Sequence, residues 1–149
     1  MIKELTNKLL DLDTLIWYLE GNEKLPIEIR ELIENESGYN YVSLTSIWEL
    51  AIRVQNKEIE IHFPFRVLET ILFQNHFLIL QPGINEFDTL SNLPGVNREI
   101  FSRILISTAI NKKLILISSK DFDEIQGMKL VKWKANKVNL TAISVNKTS

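Results

Sequence analysis

The sequence predicts an α/β fold built on a mostly parallel sheet, and three observations predict it. Short apolar runs alternate with amphipathic stretches along most of the chain. The run Leu114 to Ile117 is apolar at every position, as a strand covered on both faces requires. Acidic residues fall at or just beyond predicted strand ends, where open α/β sheets bind their ligands. At 149 residues, the chain suits one domain, and a chain of that length buries roughly 70% of the surface its unfolded form exposes.

Lys8 to Asp11 reads as a brief buried strand ending in an acid, and Thr14 to Leu19 as a helical turn closed by Gly21. Pro26 suits the first turn of a helix, and Ile27, Ile29, Leu32 and Ile33 lie on or near one face of it. Ser37-Gly38 breaks that helix. Asn40 to Leu44 is strand-like, and Thr45 or Ser46 can cap a helix running through Val54. A helix is expected over Phe65 to Gln74 after Pro64, then a short apolar strand over Phe77 to Leu80, stopped by Gln81-Pro82-Gly83. Ile84 to Leu93 is expected to be helical. Arg98 to Lys112 gives the strongest helix, with Ile100, Phe101, Ile104, Leu105, Ala109 and Ile110 forming a broad apolar stripe. Lys129 to Val131 closes the set as a last short strand. The domain is expected to span 1–133, and the polar tail 134–149 to be frayed or an edge strand, with Val138, Leu140, Ala142 and Ser144 in near alternation. Trp17 and Trp48 read as core. So do Phe63, Phe65, Phe73 and Phe77, part of which group can alternatively face a partner.

Composition narrows the chemistry. Hydrophobic residues make up 45% and charged residues 24%, as in an ordinary folded domain. The chain has no cysteine, which excludes disulfides, a thiolate zinc site and a cysteine nucleophile. The two histidines, His62 and His76, show no ligand spacing. The net charge of −2 supplies no global field for a polyanion, so any nucleic acid has to meet a local basic rim or a bound cation. No apolar run reaches the roughly 20 residues of a membrane span, and Met1 to Lys8 is too polar for a signal-peptide core. The cytoplasm is the default compartment.

Four acids stand where α/β folds place chemistry: Asp11 at the end of the first strand, Glu49 one turn into the helix after the second, Glu99 at the start of the long helix, and Asp121 after the LILI strand. Carboxylates that converge hold either protons or a cation. A set of oxygen donors without His or Cys points to Mg²⁺ or Mn²⁺. Taken singly, each acid also has a structural reading: Asp11 as a helix cap, Glu99 as a partner of the helix dipole, Asp121 as a loop acid.

Leu9-Leu10-Asp11-Leu12-Asp13-Thr14-Leu15-Ile16-Trp17 resembles the opening LLDTHxLLW motif, and Val42 to Ile52 the VSxxSLWELAI segment, of PIN domains, particularly VapC-like toxins of toxin–antitoxin pairs. Leu93-Pro94 followed by Asn97 to Ile106 resembles LPxxHRDPFDRLLIAQA, Leu114 to Phe122 the LxLVTxD strand and loop, and Lys129 to Trp133 the closing strand. The resemblance covers about residues 8 to 133. It implies a three-layer α/β/α domain and a Mg²⁺- or Mn²⁺-dependent endoribonuclease whose acids orient a water and stabilise charge developing on phosphate. It also implies a small antitoxin-like protein partner, a homodimer and an RNA substrate.

Residue by residue, Asp11 matches the first acid and Glu49 the second. The third falls on Ser102, with Glu99 one turn earlier on the same helix face. The fourth falls on Lys120, with Asp121 one place later. The enzyme reading therefore uses Asp11, Glu49, Glu99 and Asp121 as catalytic and metal-binding acids, with Arg98, Arg103 and Lys120 contacting RNA phosphates; Arg53 and Lys57 are further candidates for the basic rim. The alternative is a catalytically inactive scaffold that binds a protein or RNA, in which Lys120 pairs with the acids and neutralises them.

Overall fold

The structure is a computed structural model that describes residues 7–94, 99–122 and 125–136. Strand β1 (Lys8–Leu10) is buried at every position. Its Leu10 faces one apolar core and its Leu9 the other, so it can only lie inside a sheet covered on both sides. β2 (Asn40–Ser43), β3 (Phe77–Leu80), β4 (Ile115–Ser118) and β5 (Lys129–Lys132) complete a five-stranded sheet in the order β3-β2-β1-β4-β5. Every pairing is parallel, with Leu10 in register with Val42 on one side and Ile117 on the other.

Helices α1 (Leu12–Glu20), α2 (Ile27–Glu34), α3 (Leu44–Gln55) and α4 (Leu68–Gln74) supply Leu15, Ile29, Leu50 and Leu72 to the core that contains Leu10 and Val42. On the opposite face, Leu105, Ile106 and Ala109 of α6 (Ile100–Lys112) pack with Leu9 and Leu116. Helix α5 (Ile84–Ser91) lies against α6. Its buried Glu86 accepts a bond from the Gly83 amide at 2.8 Å and another from the Asn111 side chain, so one carboxylate caps α5 and ties it to α6. The result is the three-layer α/β/α domain that the sequence predicts.

Element ends moved where caps compete with strands. Ser43, not Thr45 or Ser46, caps α3: its hydroxyl accepts from the Thr45 amide at 3.2 Å. Lys113 closes α6 in the left-handed region at φ 57°, and the Leu114 amide bonds back to Ala109 at 2.9 Å. Leu114 thus belongs to the helix cap, and β4 begins one residue later. The expected helix from Phe65 opens as a 3-10 turn, Phe65–Val67, before α4. Gly21 ends α1 at φ 66°, a conformation that costs glycine nothing.

The aromatic residues divide differently from the expectation. Phe77 is core, whereas Trp48 is 60% exposed and Phe65 and Phe73 also face solvent. Trp17 is half-buried against Trp133, with ring centroids 5.2 Å apart. Past the last strand, Asn136 docks on the α1–α2 connection through bonds to the Lys24 and Glu23 carbonyls at 2.8 and 3.1 Å. The frayed or edge-strand reading covers 134–149; of that tail, 134–136 are described and lie in no strand, and 137–149 fall outside the described residues. Among the described residues no helix is long and apolar enough to cross a membrane.

Trp133 is the pin that holds the chain after β5 to α1, donating its indole N–H to Thr14 Oγ1 at 2.9 Å. Trp133→Phe keeps most of the ring packing and loses this bond, so it should cost about 1–2 kcal/mol. A lower denaturation midpoint with an unchanged m-value is the expected result in urea.

Candidate functional site: an acidic cleft at the strand ends

Asp11 is the residue immediately beyond β1. A buried carboxylate needs donors, and Asp11 has three. Oδ1 accepts from the Thr14 amide at 2.9 Å and from the Thr14 hydroxyl at 2.5 Å, and Oδ2 accepts from the Ser118 hydroxyl at 2.5 Å. The cap reading and the site reading of Asp11 therefore both hold, because the acid caps α1 while standing at the end of the central strand. Burial pushes its carboxyl above the usual range, against the opposing pull of the Ser118 and Thr14 bonds.

Glu49 lies one turn into α3, with Ser46 one turn before it; both are buried, and Ser46 Oγ has no hydrogen-bond partner among the described residues. Burial also pushes the Glu49 carboxyl up. The Lys120 ammonium draws it down, and Glu99 raises it again. Lys120, Glu99 and Glu49 thus face one another electrostatically.

Across the cleft, Ser102 of α6 is buried, and its hydroxyl donates to the Glu99 carboxylate at 3.3 Å. The Lys120 ammonium donates to Ser102 Oγ at 3.3 Å and lies 3.6 Å from the same Glu99 carboxylate. Glu99 makes no capping bond of its own and is turned to Ser102 and Lys120 instead. The loop that aims Lys120 is held by Ser118: the Lys120 amide donates to Ser118 Oγ at 3.0 Å, while that hydroxyl donates to Asp11.

Asp121 goes the other way. Its side chain is 90% exposed and pairs with Lys132 of β5. The structure therefore groups Glu49, Glu99, Ser102 and Lys120, links Asp11 to the Lys120 loop through Ser118, and turns Asp121 away towards Lys132. Arg103 is half-buried, with an Nε that bonds to nothing among the described residues. Arg98 falls outside the described residues. Among the described residues, no three histidines or acids gather closely enough to hold a metal ion.

Some contributors escaped the sequence reading. Asp13 forms an ion pair with Arg53 at 3.1 Å and raises both Asp11 and Glu49 by like-charge repulsion. Thr14 and Ser118 are the donors to Asp11; the first was visible in the capping distance of three residues, the second only once β1 and β4 were neighbours. Trp48 meets Phe101 edge-to-face at 5.5 Å, bridging α3 and α6 beside Glu49 and Ser102.

The fold, a parallel sheet in the order β3-β2-β1-β4-β5, has counterparts among solved structures. A chain of the crystal structure of VapBC2 from Rickettsia felis bound to a DNA fragment from their promoter superposes with a TM-score of 0.61. It is 14% identical, over 87% of this chain and 100% of that one. A chain of a toxin–antitoxin complex from Klebsiella pneumoniae gives a TM-score of 0.56 at 20% identity, over 84% of this chain and 96% of that one. The fold is that of a VapC-like PIN domain. Neither a family's sequence profile nor a curated protein sequence matches the chain.

The raised carboxyl of Asp11 has a consequence for stability. An acid whose folded-state value lies above its unfolded value binds protons more readily when folded. It therefore costs stability as pH rises from the ordinary carboxylate range, about 4, towards neutrality. Asp11→Asn removes that cost, so the difference in melting temperature, mutant minus wild type, should grow in the mutant's favour over that interval. Thermal unfolding followed by circular dichroism at a series of pH values measures it.

Proposed function

We propose that this chain is the toxin-like member of a toxin–antitoxin-type pair and acts by binding a partner protein, with Lys120 supplying the positive charge that a PIN nuclease takes from Mg²⁺ or Mn²⁺. The observation that carries the proposal is the seat of the Lys120 ammonium, 3.3 Å from Ser102 Oγ and 3.6 Å from Glu99, while Asp121 pairs with Lys132 outside the cleft. A divalent ion beside this ammonium meets repulsion roughly twice the ~4 kcal/mol exchanged by two unit charges about 4 Å apart near a protein surface. Asp11 has already accepted three hydrogen bonds, and Glu99 faces the lysine. The donor set therefore does not fit a divalent ion while Lys120 is in place.

The partner is inferred from two sources. The similar structures are toxin–antitoxin complexes by their own descriptions. A mainly apolar groove of about 520 Å³, walled by Ile16, Leu19, Ile61, Phe63 and Ile71 with Glu20 and His62 among them, suits the apolar face of an antitoxin-like segment.

A second reading is favoured by one observation, that the Glu49 and Glu99 carboxylates act on each other by like-charge repulsion. If Lys120 swings out, Asp11, Glu49 and Glu99 would be the oxygen donors to Mg²⁺ or Mn²⁺, which would supply charge stabilisation for phosphodiester hydrolysis. Arg103 and Arg98 would then be the phosphate contacts. In that case the chain is an endoribonuclease that an antitoxin restrains.

Calorimetry with Mn²⁺ separates the readings. The wild type should show no saturable binding. The double variant Ser102→Asp, Lys120→Ala should gain a site that disappears when Asp11→Asn is added, and RNA cleavage should appear with the site. Saturable Mn²⁺ binding by the wild type, abolished by Asp11→Asn and accompanied by RNA cleavage, would establish the nuclease reading instead.

A further inference from the structure

The end of the sheet opposite Asp11 carries a cavity of its own. Asn40 opens β2 and Phe77 opens β3, whereas Asp11 follows the last residue of β1, and the three strands run parallel. Two helices finish at this end, α2 at Glu34 and α4 at Gln74. Neither has a basic residue in its last turn, so the negative ends of both helix dipoles lack a cation from their own helix. Between them lies a cavity of about 410 Å³, the size of a small-molecule site. Glu34 and Glu36 stand on its wall with Tyr18 and Tyr39, and no lysine or arginine lines it among the described residues. The loop that carries Glu36 and Tyr39 is held in place: Asn35 Oδ1 accepts from the Ser37 amide at 2.8 Å, and Asn7 Oδ1 from the Tyr39 amide at 2.9 Å. The Tyr18 ring already meets a cation, the Arg30 guanidinium, 5.0 Å from its centroid.

One buried group on this wall lacks a donor. Asn40 lines the cavity and is only 8% exposed. Its Nδ2 donates to the Ile33 carbonyl at 2.6 Å, which fixes the orientation of the amide and leaves Oδ1 with no hydrogen-bond partner. A buried acceptor left in that state is costly and calls for a donor. Lys8, in register with Asn40 on β1, is fully buried and does not line the cavity.

We propose that this cavity binds a small alkylammonium compound of the diamine or polyamine class, with one ammonium set among Glu34, Glu36 and the tyrosine rings and donating an N–H to Asn40 Oδ1. An ammonium supplies both things the wall lacks, positive charge at two helix C-termini and an N–H donor. An anion supplies neither. The tyrosine rings favour an alkylammonium over a hydrated metal ion, because a ring face can replace water around the first and cannot ligate the second. Asn40 Oδ1 is covered in the free chain, so the exposed wall side chains, Tyr39 among them, move aside as the ligand enters. None of this uses the acids at the other end of the sheet, so it stands or falls separately from the proposed function.

Titration of putrescine and spermidine into ¹⁵N-labelled protein, followed by NMR at ~150 mM salt to screen diffuse surface attraction, tests the site. The Asn40 side-chain amide and the backbone amides of Tyr39 and His76 should shift saturably, and Mg²⁺ should leave them in place. The double variant Glu34→Gln, Glu36→Gln alters only exposed side chains and should keep the dispersed wild-type spectrum while binding about tenfold more weakly. Tyr39→Ala should weaken binding about threefold. The absence of any saturable shift up to ~20 mM amine would overturn the proposal. So would shifts spread over the acidic surface and reproduced by Mg²⁺, or saturable binding that is unchanged in the double variant and leaves the Asn40 side chain unmoved.

Discussion

A carboxylate buried at the end of the central strand is the constraint from which the rest of the cleft follows. Asp11 has almost no contact with water and must be satisfied by protein donors. They come from two places far apart in sequence: Thr14, in the first turn of α1, and Ser118, at the end of β4. Meeting that demand joins β1, β4 and α1 at one point, and Trp133 is drawn to the same point through Thr14. The sheet's parallel register makes this possible, because it places the carboxyl ends of β1 and β4 side by side.

The same hydroxyl that donates to Asp11 accepts from the Lys120 amide, so the loop after β4 is aimed by the acid it serves. That aim decides the charge balance. With Lys120 turned in, the ammonium meets Ser102, Glu99 and the field of Glu49. With Asp121 turned out, a carboxylate that would have increased the repulsion is spent on Lys132 at the surface. The charge of Lys120 offsets part of the repulsion among the acids around Glu49, as Arg53 does beside Asp13.

The parallel sheet and the order of its elements were legible in the sequence because strands such as Leu114 to Ile117 and the stripe on α6 carry strong periodic signals. Asp11 and Glu49 were legible because each lies at a fixed distance from a strand end. The choice between Lys120 and Asp121 was not, since a one-residue step in a loop reverses which side chain faces inward, and the Ser118 bond that helps set that step joins the ends of two separate strands. Nor was the exposure of Trp48, Phe65 and Phe73: a run of apolar residues shows that a helix has an apolar face, not that another element covers all of it.

The proposed function requires the Lys120 ammonium to hold the place of a metal beside Ser102 and Glu99. Crystals grown in Mn²⁺, with anomalous diffraction measured near the manganese edge, test it directly. No anomalous peak is expected among Asp11, Glu49 and Glu99, with Lys120 still bonded to Ser102. A peak bound by those carboxylates, with the lysine displaced from Ser102, would contradict it.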